Sequence, residues 1–326
     1  MHRKIIIDSD VVNDDAIAIL LALLSPILEI QGITIVAGAV GLEQGVKNAL
    51  NILELSNRTD IPVYKGSHKP LFRDLVMGKT FHGNDGLGNL NLLIPLIKQQ
   101  KQNAIGFLVD TLSDSNQRQT LVTLGPLTNI GAALLVEPRI ARQIEQIIIV
   151  GGTIFAAGNY TPSIIGNCPH SEYNIYVDPE AAHIVFSSGI PIVMVGMDVT
   201  EKILLPENFC KELINTNPGK ITSFIENTTK PYMDVHDHIL GKKGCYIADP
   251  LAILYLLDPL SFETRDIYIQ IEIKGDVTRG ETVADLANIL GMNPNAKVCL
   301  NVDGSRILKH INKVFSIKQK EPKNNA

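Results

Sequence analysis

An open α/β sheet, mostly parallel and covered by helices on both faces, is the fold class this sequence predicts. Three observations carry it. Short β-branched runs alternate with segments of helical period along most of the chain. Those runs are almost wholly apolar, as strands buried on both sides are. Helix-start signals, an acid or amide followed by proline or an apolar repeat, stand between them.

Ile5–Ile7 is the first strand. The apolar run over 16–28 is interrupted by Pro26 and closed by Glu29. It is too short to cross a bilayer and reads as a buried helix. Further strands fall at Ile33–Ala37, Thr120–Leu124, Ile147–Val150 and Pro191–Gly196. In NAIGFLVDTLSDS, Ile105, Leu108, Val109 and Leu112 recur at i, i+3, i+4 and i+7, with Asn103 as N-cap. Asp178 caps a helix with Pro179 at its first position, and Asp249 with Pro250 repeats that arrangement. DIYIQIEI alternates strictly and predicts one half-exposed strand near a sheet edge, a candidate for antiparallel pairing. Residues 216–247 read as an irregular stretch, a candidate flap. No linker or repeat divides the chain, so residues 1–315 are read as one domain and 316–326 as a polar, disordered tail.

The chain has 326 residues, 45% hydrophobic and 19% charged, with a net charge of −5. That is enough for a large core, and no basic block offers a nucleic-acid surface. Cys168, Cys210, Cys245 and Cys299 form no CxxC pair, which argues against structural zinc and for a reducing compartment. The apolar run in MHRKIIID is too short for a signal peptide. A cytoplasmic protein without a membrane span is the expectation.

The densest chemistry is in IIIDSDVVNDDAIAILLALL, where Asp8, Asp10, Asp14 and Asp15 fall between a strand and a helix. Ligands of open α/β sheets bind beyond the carboxyl ends of strands. Helix capping explains one or two of these acids. Four repel one another unless a hard cation meets them, and Mg²⁺ and Ca²⁺ take oxygen ligands. Two chemistries fit. IIIDSDVV matches the short signature of haloacid-dehalogenase-type phosphatases, with the first Asp as nucleophile. The second uses the whole DxDxxxDD spacing.

Later segments favour the second. IPVYKGSHKPL, FHGNDGLGNL, TLGPLTNIGAAL, IIIVGGTI, GNYTP, EYNIYVDPEAA, VMVGMDVT, DPLAILYLLDP, RGETVAD and NPNAKVCLNVD occur in the order in which similar segments occur in one family. Over residues 4–303 the chain resembles the inosine-uridine preferring nucleoside hydrolases, whose opening motif is DxDPGxDD. The resemblance implies the nucleoside hydrolase fold with its Rossmann-like core. It implies hydrolysis of the N-glycosidic bond of a ribonucleoside, serving salvage or catabolism, and a dimer or tetramer. It implies Ca²⁺ held by Asp10, Asp15, Asp249 and the backbone carbonyl of Leu124. It makes Asp10 the general base, and Asp14, Asn159, Glu172 and Asn174 the grip on the ribose hydroxyls. His82 comes with the HGxxGL loop as a substrate-binding residue. Asp8 is left a structural role.

The pattern breaks at three places. Val11–Val12 stand where the family has Pro-Gly, Ala39 stands in place of an asparagine, and Ala248 replaces a histidine that serves as acid for the leaving base. Tyr232, His236, His238 and Tyr246 are the local candidates to replace that acid. SIIGNCPHS, between Pro162 and Glu172, reads as an insertion near the base pocket. The breaks leave open a relative that binds nucleosides but hydrolyses them weakly. The base preference, purine or pyrimidine, is not legible.

Overall fold

The computed structural model describes residues 2–114, 117–159 and 168–316. Residues 163–167 of the inserted stretch and 317–326 of the polar tail lie outside them. The strands are β1 (Arg3–Ser9), β2 (Leu28–Ile35), β3 (Val63–Lys65), β4 (Gln119–Thr123), β5 (Ile144–Val150), β6 (Ile192–Val195), β7 (Leu204–Leu205), β8 (Cys245–Tyr246), β9 (Phe262–Ile267), β10 (Ile269–Ile271), β11 (Thr282–Ala284) and β12 (Ala296–Val302).

Eight of them form one sheet in the order β3-β2-β1-β4-β5-β6-β12-β9. Every pairing in it is parallel except β12 with β9. The side chains show why the strands lack polar alternation. Ile5 and Ile7 pack into one core and Ile6 into the other; Val122 and Leu121, Ile148 and Ile149, Val193 and Met194 divide the same way. Each strand feeds a core on both faces, the arrangement expected when helices cover both sides.

Helix Asn13–Leu24 is buried from Asn13 through Leu23, which is why its sequence shows almost no polar face. Asn103 and Asp178 cap their helices, each accepting an N–H one turn on, from Gly106 and Ala181. The third expected cap is a correction. Helix Asp249–Leu257 begins at Asp249 itself after Ala248, and no side chain caps it. Asp249 is free for other work.

Two further expectations are corrected. DIYIQIEI is not one strand: β9 ends at Ile267 on the sheet edge, and β10 leaves to pair with β11. The inward isoleucines still alternate, since Ile267, Ile269 and Ile271 are all buried. The stretch 216–247 is not irregular either, because Lys220–Leu240 is a helix containing Pro231. Its buried residues, Ile221, Thr222, Phe224, Ile225, Thr228, Thr229, Met233 and His236, follow a 3–4 spacing. Threonines and a histidine hide that stripe from a hydrophobicity reading.

The strand order reverses between β1 and β4, on either side of which the chain leaves in opposite directions. That switch point is where an open sheet gapes at its carboxyl end. Asp10 follows β1 and Leu124 follows β4 at that place.

Candidate active site

A cavity of about 240 Å³ opens at the switch point. Asp10, Asp14, Asp15, His82, Leu124, Asn159, Glu172, Asn174 and Asp249 all line it. Thus the residues that the resemblance assigns to the metal, the base and the ribose line one cavity. Asp8 does not line it. The Asp8 carboxylate accepts hydrogen bonds from Thr34 Oγ1 at 2.5 Å and Asn129 Nδ2 at 2.8 Å, inside the sheet. A nucleophile must reach substrate, so the phosphatase reading, which needs Asp8 for that role, fails here.

Local folding brings the acids together. Asp14 and Asp15 sit in the first turn of helix Asn13–Leu24, and Asp249 opens the helix packed against it. Oxygens of Asp14, Asp15 and Asp249 lie within 4.8 Å of one another, all buried. Asp10 lines the same cavity outside that trio, with Oδ2 accepting the Ala39 N–H at 2.5 Å. Asp15 accepts from Ser9 Oγ at 2.5 Å, from the Val12 N–H at 3.1 Å and from the Val11 N–H at 3.3 Å.

Burial pushes Asp14 up to about 7, helped by the charge of Asp15. Burial also raises Asp10 and Asp249 well above the carboxylate range, with Asp15 adding to the first and Asp14 to the second. Asp15 and Asp249 are within hydrogen-bonding reach of each other. Two carboxylates so placed need a proton between them or a cation beside them. No lysine or arginine is among the described residues lining the cavity. The donor set is therefore all oxygen, dense and uncompensated, and it fits a hard divalent cation. Asp14, Asp15 and Asp249 form a buried acidic cluster with the spacing of a metal site.

The polar wall is pre-organised by the backbone. Asn174 Nδ2 donates to the carbonyls of Leu124 and Val150, both at 2.9 Å, which leaves its Oδ1 as an acceptor. Asn159 Oδ1 accepts the Tyr173 N–H at 2.5 Å, which leaves its amide hydrogens as donors. Glu172 caps helix Tyr173–Val177, accepting from the N–H groups of Gly152, Asn174 and Ile175, and burial pushes it up to about 7.

Part of the lining is aromatic. His82 stacks near-parallel on Tyr232, with centroids 5.3 Å apart, and His236 meets Tyr232 edge-on at 4.4 Å and Tyr246 at 5.7 Å. Tyr232, His236 and Tyr246 line the cavity together with Ala248. His238 is exposed on the outer side of the same helix, so it drops out as a replacement acid. Burial raises the Tyr232 phenol well above its usual range and lowers the His236 imidazole.

The breaks in the motif meet each other. Val12, Ala39 and Val40 form one small apolar cluster at the cavity wall. Sequence reasoning missed three contributors. The Ala39 N–H, which holds Asp10, is invisible because any residue but proline supplies it. Asn13, bonded to His82, had no motif partner. Tyr173, whose hydroxyl donates to the Val76 carbonyl at 2.6 Å, lay inside a matched segment and could have been flagged.

Comparison with known proteins agrees with this fold. The pyrimidine-specific ribonucleoside hydrolase RihA of Salmonella enteritidis is 40% identical over 304 residues, 93% of this chain and 95% of that protein. Among solved structures, a purine-preferring ribonucleoside hydrolase from Gardnerella vaginalis superimposes with a TM-score of 0.87 at 32% identity, over 96% of this chain and 98% of that one. A plant nucleoside hydrolase gives a TM-score of 0.90 at 30% identity, over 98% and 100%. The sequence itself matches one family over residues 5–309, and on that match the chain belongs to the inosine-uridine preferring nucleoside hydrolases.

Proposed function

We propose that this chain hydrolyses the N-glycosidic bond of ribonucleosides, pyrimidine ribonucleosides foremost, to ribose and free base, with Ca²⁺ as cofactor and Asp10 as general base. The observation that carries the reading is one cavity in which buried carboxylates face a wall of hydroxyl-binding amides and an aromatic wall. The pyrimidine preference rests on RihA, the more similar of the relatives above.

Asp10, Asp15, Asp249 and the Leu124 carbonyl are the residues that would hold the ion. A Ca²⁺ held there would supply Lewis acidity that favours the deprotonated form of a water. Asp10 takes the water's proton: the Ala39 N–H anchors Oδ2, leaving Oδ1 as acceptor. Asp14, Glu172 and Asn174 Oδ1 accept ribose hydroxyls, Asn159 donates to one, and Glu172 also caps the helix that carries Asn174. The grip positions the anomeric carbon and disfavours deoxy sugars, which would leave buried polar groups unpaired. The carboxylates also stabilise the positive charge that develops on the sugar as the base departs. Tyr232, His236 and Tyr246 surround the space left by Ala248, and one of them assists departure of the base.

Residues 1–315 act as one unit in this reading, since Asp10 and Asp249 come from distant parts of the chain. The buried, unpaired state of all four cysteines supports a reducing, cytoplasmic setting. Among the described residues no helix is long and apolar enough to cross a membrane. Leu93, Ile94 and Leu96, each at least 86% exposed on one loop, support the expected self-association, which sedimentation velocity would test.

Ribose release measured over a nucleoside panel, with and without a calcium chelator, tests the function. Release abolished by chelation supports it. Nucleoside binding without release would favour the binding-protein reading instead.

A further inference from the structure

We propose that Asn13 is a positioning residue that holds His82 in its Nδ1–H tautomer, so that Nε2 presents a lone pair to a hydrogen-bond donor of the substrate. The argument begins with the asparagine. Asn13 is buried at the start of helix Asn13–Leu24, next to Asp14 and Asp15. Its Nδ2 donates to the Thr228 carbonyl at 2.8 Å and to Thr228 Oγ1 at 3.0 Å. Its Oδ1 lies 2.9 Å from His82 Nδ1. The opposite amide orientation would set Oδ1 against the Thr228 carbonyl, lone pair to lone pair, so the backbone of helix Lys220–Leu240 fixes which atom faces the histidine.

An amide oxygen only accepts, so His82 Nδ1 must carry the hydrogen. Rotating the ring would break that bond, and the stack on Tyr232 confines the ring plane. Burial, with His236 beside it, pushes the imidazole down to about 3. The ring is therefore neutral at working pH, with its second nitrogen unprotonated. His82 lines the cavity, and Nε2 is the nitrogen that Asn13 leaves free.

The consequence is chemical. Nε2 accepts a hydrogen bond from a sugar hydroxyl or from an N–H of the base. It repels a bare carbonyl or an unprotonated ring nitrogen, and it cannot protonate the leaving base. Asn13 also ties this choice to the docking of helix Lys220–Leu240, because the same Thr228 contact sets both. Only the kinetic half of the test rests on the proposed hydrolase activity.

The tautomer is read directly. Long-range ¹⁵N–¹H spectra of the full-length protein, with His82 assigned by loss of its signals in His82→Gln, distinguish a protonated Nδ1 from a protonated Nε2. The expected result is the Nδ1–H pattern in the wild type and a shift towards Nε2–H in Asn13→Ala. An Nε2–H pattern in the wild type overturns the proposal without any variant having to fold. An unchanged tautomer in folded Asn13→Ala overturns it as well. In turnover, Asn13→Ala should raise KM for uridine about tenfold, the worth of one hydrogen bond, with kcat less affected. The effect should vanish with 5′-deoxyuridine if the donor is the sugar hydroxyl, and with N3-methyluridine if it is the base. Persistence with both analogues overturns the donor assignment, while the spectra still decide the tautomer.

Discussion

Gly38→Ala perturbs the proposed base by one methyl group. Gly38 follows β2, and a Cβ built there meets Asp10 Oδ2 at 2.2 Å, Cγ at 2.7 Å and Cβ at 2.9 Å. Carbon and oxygen do not approach so closely, so the carboxylate or the loop must move by about 1 Å to restore van der Waals contact. The same oxygen accepts the Ala39 N–H, so the shift also strains the bond that orients it. Overpacking of this kind costs about 1–3 kcal/mol of stability. Misplacing a catalytic group by that distance costs about 10²-fold in rate, or about 2.7 kcal/mol of transition-state stabilisation. Gly41 is the control, since a Cβ there meets nothing within 4 Å and its φ of −68° suits alanine. Gly41→Ala should cost at most about 1 kcal/mol, for a poorer N-cap, and leave turnover intact. The assay is steady-state ribose release beside a thermal melt. If Gly38→Ala is folded and turns over within twofold of the wild type, Asp10 is not the base or its orientation does not matter.

Other consequences are as direct. Calcium at about 1,000 times its Kd should raise unfolding stability by about 4 kcal/mol, and a chelator should remove the gain; no change in melting temperature would deny the acidic cluster its cation. Glu172 is raised from 4.5 to about 7, so the folded state keeps a proton that the unfolded chain has lost. Its contribution is full below pH 4.5 and disappears as pH rises through 7, a loss of at most about 3 kcal/mol; denaturant titrations at pH 4.5 and 8 should show it, and a flatter difference in Glu172→Gln would assign it. Tyr232→Phe, His236→Ala and Tyr246→Phe, made singly, should slow nucleosides with poor leaving groups most in at least one case, while exposed His238→Ala changes nothing; uniform full activity in the three would leave the departing base unassisted.

Much of this was legible in the chain because the relevant physics is local. The alternation of β-branched runs with capped, periodic segments specified the parallel sheet, and buried strands cannot hide their composition. The acidic joint was legible because four carboxylates in eight positions repel one another too strongly to serve as helix caps alone. What was not legible depends on distance in space. Helix Lys220–Leu240 buries Thr228 and His236 against Asn13 and the tyrosines, so its inner stripe is polar and looks irregular. Read locally, Asp249 is a cap, because DP usually starts a helix that way; only the family resemblance pointed to the partners that helix Asn13–Leu24 brings to it. DIYIQIEI reads as one strand because alternation survives the change of sheet at Tyr268.

The valines at 11 and 12 show how the site accommodates a broken motif. Proline fixes φ near −65° and has no N–H. Val11 has φ 56°, and its N–H donates to Ser9 Oγ at 2.9 Å and more loosely to Asp15. No proline could occupy this loop as it stands. A β-branched residue in the left-handed region costs about 1–3 kcal/mol, so something must hold it there. The Val11 carbonyl accepts from Asn48 Nδ2 at 2.9 Å, and the same amide donates to the Asp85 carbonyl at 2.8 Å, tying the loop to the turn after His82. The Val11 side chain is fully buried, which offsets about 2 kcal/mol of the strain. Val12, in place of glycine, takes an ordinary extended conformation and packs on Ala39, the other altered position. Strain, hydrogen bonds and packing thus close on one another around Asp10, and the acids on either side of the valines still line a single cavity. The left-handed valine is thus held by its own hydrogen bonds and burial, and the altered motif still closes the cavity wall beside Asp10.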